Sequence, residues 1–215
     1  MKPGQSPPAR APEAPRAAHE VFGDRLGTAI AYADLLATAG VDRGLIGPRE
    51  VDRLWERHLL NSAAISDAIP TGSAVLDVGS GAGLPGIPLS LSRPDLHVTL
   101  VEPLLRRTVF LTEVCDQLDL YDVDVRRSRA ENMPRAQSDV VVARAVAPLA
   151  RLLPWTMPLL RPGGRLVAMK GRSADQELAD ALPVLRRLRA REWEVRTLAA
   201  TPGVEATRAV LVVAG

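Results

Sequence analysis

Hydrophobic and polar positions follow two different periods along this chain. Up to about residue 70, apolar side chains recur every three to four residues, which predicts helices over residues 17–39 and 50–68. Beyond residue 72, short apolar runs alternate with amphipathic stretches. The runs predict strands over residues 74–78, 97–101, 123–127, 139–143, 165–169, 193–198 and 208–213, and the stretches predict helices over residues 84–92, 104–118, 149–160 and 175–189.

The order of these elements predicts the fold class. Strands that alternate with helices form βαβ units, which give a mostly parallel sheet with helices on both faces. No helix separates the last two strands, so we expect the last strand to run antiparallel. We therefore predict a Rossmann-like α/β domain with a seven-stranded sheet over residues 71–215 and a helical extension over residues 17–70. Residues 1–16 contain five prolines and are expected to form a disordered tail.

Composition narrows the class of protein. The chain has 215 residues, 47% hydrophobic and 24% charged, as in a globular protein of one domain. Cys115 is the only cysteine and the three histidines are far apart, so we expect neither a disulfide nor a metal site. No apolar run approaches the ~20 residues of a membrane helix, and no apolar signal segment opens the chain. These features favour a cytoplasmic protein that binds no membrane, and without a large apolar surface stretch we expect a monomer.

The predicted turn after the first strand is rich in glycine. Gly79, Gly81 and Gly83 let the backbone turn sharply and approach a ligand closely, and the following helix begins with free N–H groups. Glu102 ends the next strand, where its carboxylate can accept hydrogen bonds from ribose hydroxyls. This arrangement predicts a cofactor that carries a nucleoside.

Two cofactors compete for this loop. Residues 81–86 fit the Gly-x-Gly-x-x-Gly pattern of NAD-binding folds, so a nucleotide-binding or redox module is one interpretation. However, Asp77 precedes the first glycine by two residues, as in methyltransferase loops, and Pro85 lacks the N–H that would help to hold a pyrophosphate. S-adenosyl-L-methionine carries no phosphate, and the loop therefore favours it.

Several segments together resemble the RsmG (GidB) family. The longest is the segment Asp77–Leu89, whose glycines are interleaved with Pro85 and Pro88. The other similar segments are Arg57-His58 with Asn61-Ser62, Ser128-Arg129-Ala130-Glu131, Arg144-Ala145 and Lys170-Gly171. Asn61 stands where the family usually has Asp. The resemblance spans about residues 20–215.

This resemblance implies a fold, a reaction and a set of cofactor contacts. Members of the family have the Rossmann-like S-adenosylmethionine-dependent methyltransferase fold and methylate N7 of a guanine in 16S ribosomal RNA, within the small subunit. By the resemblance, S-adenosyl-L-methionine would contact Gly79 and Leu84 in the loop, Glu102 at the ribose, Ala130 and Glu131 near the adenine, and Arg144 at the rim of the pocket.

Basic side chains concentrate at the predicted carboxyl ends of the strands, where ligands bind in open α/β sheets. They are Arg106, Arg107, Arg126, Arg127, Arg129, Arg144, Lys170 and Arg172. Arg144 and Lys170 are candidates for positioning the reactants. The candidates for binding RNA rather than DNA are Arg106, Arg126, Arg127, Lys170 and Arg172. The alternative is that GC-rich codons scattered these arginines over a solvated surface.

The residue types that the chain lacks narrow the set of methylation reactions that it could catalyse. Methylation of a base carbon uses a cysteine nucleophile, but Cys115 lies within a predicted helix. Guanine N7 has a free lone pair and needs only alignment with the methyl donor. A methyltransferase of another substrate and a non-catalytic RNA-binding protein remain alternatives. His58 stands either at a packing surface or at the mouth of the site.

Overall fold

The computed structural model describes residues 10–199 and 206–215. Its centre is a seven-stranded sheet with the order β3-β2-β1-β4-β5-β7-β6. The strands are β1 (Ala74–Val78), β2 (His97–Val101), β3 (Val123–Arg126), β4 (Ser138–Arg144), β5 (Leu160–Met169), β6 (Glu192–Leu198) and β7 (Thr207–Val213). The pairs among β1 to β5 are parallel, and β7 runs antiparallel to both β5 and β6. The predicted sheet and its antiparallel last strand are therefore confirmed.

Seven α-helices surround the sheet in the described part of the chain. They are α1 (Arg16–Phe22), α2 (Leu26–Leu35), α3 (Asn61–Ala63), α4 (Gly86–Ser92), α5 (Leu105–Gln117), α6 (Leu149–Thr156) and α7 (Ala174–Arg187). Short 3₁₀ turns span Gly23–Arg25, Pro48–Arg53, Ser66–Ala68, Ala130–Asn132, Met157–Leu159 and Gly171–Ser173, and π-helical segments span Leu36–Gly40 and Leu54–Leu60.

The sheet is buried on both faces. Successive side chains of a strand point to opposite faces, and β4 shows this directly. Val140 and Val142 pack with the N-terminal extension, α4 and α5, whereas Val141 and Ala143 pack with α6 and α7. This burial explains why the central strands read as continuous apolar runs.

The helices of the extension are less regular than the sequence predicts. The single helix predicted over residues 17–39 is broken at Gly23, whose positive φ of 46° is unfavourable for other residues, and ends in the π-helical segment Leu36–Gly40. The helix predicted over residues 50–68 consists of four short segments. Apolar spacing reports which face of the backbone is buried, but it does not distinguish helix types.

The predicted tail, residues 1–16, falls only partly on the described chain, because residues 1–9 lie outside it. Its last residues differ from the expected disorder. The N–H of Ala11 donates to Oδ1 of Asp34 at 3.0 Å, and Nε1 of Trp55 donates to the carbonyl of Pro12 at 2.7 Å. These two hydrogen bonds attach the segment to the helical extension, so a proline-rich composition did not exclude a fixed backbone here.

Candidate functional site

The glycine loop, residues 79–85, connects β1 to α4 and contains three glycines with different structural roles. Gly79, Gly81 and Gly83 have φ values of 73°, 58° and 100°. A Cβ on Gly83 would lie 2.4 Å from Cδ1 of Ile87, and one on Gly79 would lie 2.8 Å from Cγ2 of Val146. A Cβ on Gly81 would approach only the carbonyl of Gly79, at 3.9 Å. Packing thus explains two glycines, whereas Gly81 faces open space.

Asp77 supports the loop from below and is completely buried. Its Oδ2 accepts the N–H of Gly86 at 2.9 Å, while its Oδ1 is buried and has no partner among the residues described. Burial raises the pKa of Asp77 to about 7. An orphaned carboxylate oxygen under a glycine loop is compatible with a polar ligand above it.

Glu102 connects the end of β2 to the glycine loop. Its Oε2 accepts the N–H of Gly81 at 3.1 Å, and its Oε1 accepts the N–H of Leu104 at 3.0 Å. Nη1 of Arg107 lies 3.5 Å from Oε2. The carboxylate predicted to bind a ribose therefore lies directly against the loop, as a cofactor that spans β1 and β2 requires.

The other predicted cofactor contacts lie at the same edge of the sheet. Leu84 is partly buried at the end of the loop, before α4. Ala130 and Glu131 form a 3₁₀ turn after β3, in which Ala130 is buried and Glu131 is exposed. The geometry brings these residues to the carboxyl ends of neighbouring parallel strands.

Arg144 ends β4 and is bound to the helical extension. Its Nη1 donates to Oγ of Ser62 at 2.9 Å and to the carbonyl of His58 at 3.3 Å. Its Nη2 donates to the carbonyl of Arg57 at 2.8 Å and to Nδ1 of His58 at 3.2 Å. Two sequence motifs, Arg57-His58 with Ser62 and Arg144-Ala145, thus bind each other. Arg144 therefore holds the extension at the site, and both of its terminal nitrogens already donate hydrogen bonds within the protein.

His58 completes this network as a neutral side chain. A guanidinium can only donate, so Nδ1 of His58 accepts and Nε2 carries the proton, which is donated to Oε2 of Glu50 at 3.1 Å. Burial and the Arg144 guanidinium lower the pKa of His58 to about 4. Of the two interpretations left open, the structure supports a histidine with satisfied hydrogen bonds at a packing surface.

Lys170 is also engaged within the protein. Its side chain is 8% exposed, its Nζ lies 2.8 Å from Oε2 of Glu177, and it donates a short hydrogen bond to the carbonyl of Ala147. The same Oε2 accepts the N–H of Leu149 at 2.8 Å. Lys170 therefore joins β5 to the beginnings of α6 and α7, and it does not present a free ammonium group to solvent.

A cleft of about 1060 Å³ opens beside these residues, at the ends of β4 and β5. Arg144, Lys170 and Met169 line it together with residues 145–148, and four arginines surround them: Arg53, Arg57, Arg172 and Arg208. Only Arg172 of these four was predicted as an RNA contact. Arg208 could have been found, because an antiparallel β7 brings its first residues to the ligand edge. Arg57 belongs to one of the segments that resemble the family, whereas nothing in the sequence except its charge pointed to Arg53.

The remaining predicted RNA contacts lie away from this cleft. Arg106, on α5, and Arg126 and Arg127, at the end of β3, are exposed. Nη2 of Arg126 lies 3.8 Å from Oδ2 of Asp124. The predicted cations therefore separate into two groups, one around the cleft and one beyond the other side of the glycine loop.

Metal-binding clusters and membrane helices are both absent from the described residues. Within residues 10–199 and 206–215, no group of three or more His, Cys, Asp or Glu side chains is placed to hold a metal ion. In the same ranges, no helix has the length and apolar character needed to cross a membrane. Cys115 is buried in α5, and burial raises the pKa of its thiol to about 11.

The comparison with a family model and the comparison with individual proteins agree with each other. Residues 25–201 match the family model described as GidB, rRNA small subunit methyltransferase G. The chain is 59% identical over 189 residues to ribosomal RNA small subunit methyltransferase G of Streptomyces avermitilis, covering 87% of this chain and 79% of that protein. It is 52% identical over 191 residues to the protein of the same name from Mycolicibacterium gilvum, covering 87% and 84%.

Solved structures resemble the fold at low sequence identity. A SAM-dependent methyltransferase from Aquifex aeolicus has a TM-score of 0.59 and 14% identity, covering 82% of this chain and 98% of that one. M. jannaschii TYW2 in complex with AdoMet has a TM-score of 0.53 and 18% identity, covering 71% and 72%. These likenesses establish the methyltransferase fold.

Proposed function

The chain belongs to the GidB family, rRNA small subunit methyltransferase G, and we propose that it transfers a methyl group from S-adenosyl-L-methionine to N7 of a guanine in 16S ribosomal RNA. The observation that carries the proposal is that Val146 both lines the arginine-rich cleft and lies against Gly79, in the loop whose Gly81 N–H is bound by the Glu102 carboxylate. One edge of the sheet thus offers a nucleoside site and a cationic surface together.

The glycine loop and its neighbours fit S-adenosyl-L-methionine. Gly81 has open space on the side where a Cβ would project, and Asp77 leaves a buried oxygen unpaired below the loop. Bound there, the cofactor supplies a methyl group activated by its sulfonium charge. The residues that would hold it are Gly79, Gly81, Gly83 and Leu84 in the loop, Glu102 at the ribose, and Ala130 and Glu131 at the adenine.

The cleft fits a segment of RNA. Arg53 and Arg172 are exposed, and neither forms an ion pair within the described ranges, so both can bind phosphate. Arg57 and Arg208 pair with Glu50 and Asp175, and a phosphate would compete with these carboxylates. Arg144 and Lys170 act indirectly, because they hold the walls of the cleft in place.

The lining of the cleft suits an alkylation that needs no general base. Among the described lining residues, Glu177 is the one carboxylate, and it is paired with Lys170. Guanine N7 carries no proton, so nothing must be abstracted before its lone pair forms the new N–C bond, while the bond between that methyl carbon and the donor sulfur would break and leave its electron pair on sulfur. The protein's contribution is then to orient the base and to exclude competing geometries, for which proximity alone can supply a large rate enhancement.

A methyl-transfer assay tests this proposal. Small ribosomal subunits from a strain that lacks the gene are incubated with the protein and S-adenosyl-L-methionine, and the 16S RNA is digested and analysed by mass spectrometry. We expect 7-methylguanosine at one position. The variant Glu102→Ala should lose most of this activity, because the carboxylate is lost from both the ribose site and the loop. Methylation of another base, or of no RNA, would reject the proposal in favour of another methyltransferase or a binding protein.

We further propose that the protein acts as a monomer on the small subunit in the cytoplasm. Membership of a family named for small-subunit rRNA supports the small-subunit substrate, whereas the monomer and the cytoplasm are expectations from the sequence alone. Analytical ultracentrifugation of the free protein measures its oligomeric state, and sedimentation with purified subunits measures its binding to the small subunit.

A further inference from the structure

One side chain of the helical extension reaches the glycine loop. Tyr32 lies on α2 and is completely buried, and its hydroxyl donates a hydrogen bond of 2.8 Å to the carbonyl of Ala82. The two residues are 50 positions apart in sequence. Burial, together with the Asp77 carboxylate, raises the pKa of the Tyr32 hydroxyl well above its usual range, so it remains a neutral donor.

The hydroxyl also limits the space on the inner side of the loop. A Cβ placed on Gly83 would lie 3.0 Å from the Tyr32 oxygen. Three side chains hold the loop and the start of α4: Glu102 accepts from Gly81, Asp77 accepts from Gly86, and Tyr32 donates to Ala82. The first two anchors belong to the sheet domain, whereas the third comes from the extension. Neither the glycine pattern nor the strand-end rule pointed to Tyr32.

We propose that Tyr32 is a positioning residue for S-adenosyl-L-methionine, which fixes the Ala82–Gly83 peptide so that the outer side of the loop keeps the shape that binds the cofactor. This inference rests on the proposed function. It makes the extension part of the cofactor site, in addition to carrying Arg53 and Arg57 to the cleft. Since the hydroxyl does not face the cleft, it should influence cofactor affinity and not RNA affinity.

The test is the pair of variants Tyr32→Phe and Tyr121→Phe. Both remove a single hydroxyl, and Tyr121 is a matched control because it is 86% exposed and bonds only Asp119 in the described chain. S-adenosyl-L-methionine is titrated into each protein by calorimetry. A neutral hydrogen bond of typical strength corresponds to a Kd for the cofactor about 2- to 12-fold weaker in Tyr32→Phe. The Kd of Tyr121→Phe should equal that of the wild type.

Steady-state kinetics separate positioning from general stabilisation. For Tyr32→Phe we expect a higher KM for the cofactor, with unchanged kcat at saturation and unchanged KM for small subunits. Circular dichroism verifies folding at the titration temperature, which is lowered if the variant requires it. Wild-type affinity in folded Tyr32→Phe, equal increases in both KM values, or a variant that folds at no temperature would overturn the inference. Failure of the wild type itself to bind S-adenosyl-L-methionine would instead reject the proposed function.

Discussion

Arg144 and His58 are 86 positions apart in sequence, yet Nη2 of Arg144 donates to Nδ1 of His58 over 3.2 Å. The bond joins the end of a central strand to the helix that carries Arg57 into the cleft. Because Arg144 occupies Nδ1 and Glu50 accepts from Nε2, both ring nitrogens are satisfied only in the neutral form. The alignment of the extension with the sheet therefore depends on the protonation state of His58.

Acidification should weaken this junction. The pKa of His58 is about 4 in the folded protein against 6.5 for a free histidine, so between these values the unfolded chain binds a proton that the folded chain excludes. Unfolding is then favoured as the pH falls from about 6.5 to about 4. The shift corresponds to a loss of up to about 3 kcal/mol of stability at the lower limit. Urea denaturation of the wild type and His58→Gln across this range measures the effect as a difference between the two proteins.

The stabilities of the two proteins must be compared because protonation of Asp77 changes the stability in the opposite direction to protonation of His58. Its pKa is raised to about 7 from 3.8, so the folded state binds its proton first and gains stability as the pH falls through 7. Both proteins contain Asp77, and this contribution cancels. His97→Gln, at an exposed site, is the matched control and should follow the wild type. A parallel pH dependence in wild type and His58→Gln would contradict the assigned neutral state.

The sheet could be predicted from the sequence because burial on both faces requires apolar residues along the central strands. Each central strand is an apolar run that ends at a turn, and its neighbours are amphipathic helices. The beginning of β5 was missed, since the segment Arg161-Pro162-Gly163-Gly164 has the composition of a turn, although Leu160 pairs with Ser138. The turn-like composition is not overridden here: Leu160 pairs with Ser138 and Arg165 with Val140, so residues 161–164 interrupt the pairing with β4.

The site was predictable where local chain geometry determines it. The glycine turn, the acid after β2 and the ligand edge follow from short-range pattern and topology. The partners of Arg144 and Lys170 did not follow, because strand-end position shows only that a cation lies near the site. Whether it faces solvent depends on groups far away, such as Ser62 and Glu177, which only the folded structure brings into contact.

The pair Lys170 and Glu177 should couple strongly in the folded protein. Burial alone would raise the pKa of Glu177, but hydrogen bonds from Lys170 and Ser173 outweigh it and lower the pKa overall. We expect a double-mutant cycle with Lys170→Met and Glu177→Gln to give a coupling of about 1–3 kcal/mol in urea denaturation.

The more exposed pair Arg208 and Asp175 is the control for this cycle. Arg208→Met and Asp175→Asn should couple by less than about 1 kcal/mol. If the two cycles gave equal coupling energies, Lys170 would not be the internal connection that its contacts indicate, and its assignment as a free RNA ligand would regain support.

Gly81→Ala should separate cofactor binding from folding. At a φ of 58°, an alanine costs about 1–2 kcal/mol of backbone strain, but its methyl group meets no protein atom closer than 3.9 Å. The methyl group would enter the space assigned to S-adenosyl-L-methionine, so we expect at least a tenfold weaker Kd by calorimetry. Gly163→Ala carries similar strain at a φ of 77° with open space around it, far from the loop. If both variants bound the cofactor equally, the open side of Gly81 would not be the ligand side.

The arginines of the cleft should govern the affinity for RNA. Arg53→Ala and Arg172→Ala each remove an exposed cation that has no carboxylate partner in the described ranges, so the effect falls on bound phosphate and not on the fold. We expect a higher KM for small subunits with an unchanged Kd for S-adenosyl-L-methionine. The slope of log KM against log salt should decrease by about 0.7 to 0.9 for each phosphate that the variant no longer binds. Methyl-transfer assays at several salt concentrations give both quantities.

The same series distinguishes the cleft from the rest of the basic surface. Arg126→Ala and Arg127→Ala test the group beyond the glycine loop, and Arg187→Ala, at the end of α7, serves as an exposed control away from both. If RNA enters through the cleft, Arg53→Ala and Arg172→Ala change the slope while Arg187→Ala does not. A changed slope for Arg126→Ala and Arg127→Ala as well would mean that the bound RNA extends past the cofactor site. Equal slopes for every variant would mean that arginine abundance reflects codon usage, and the cleft would lose its assignment as the RNA-binding surface.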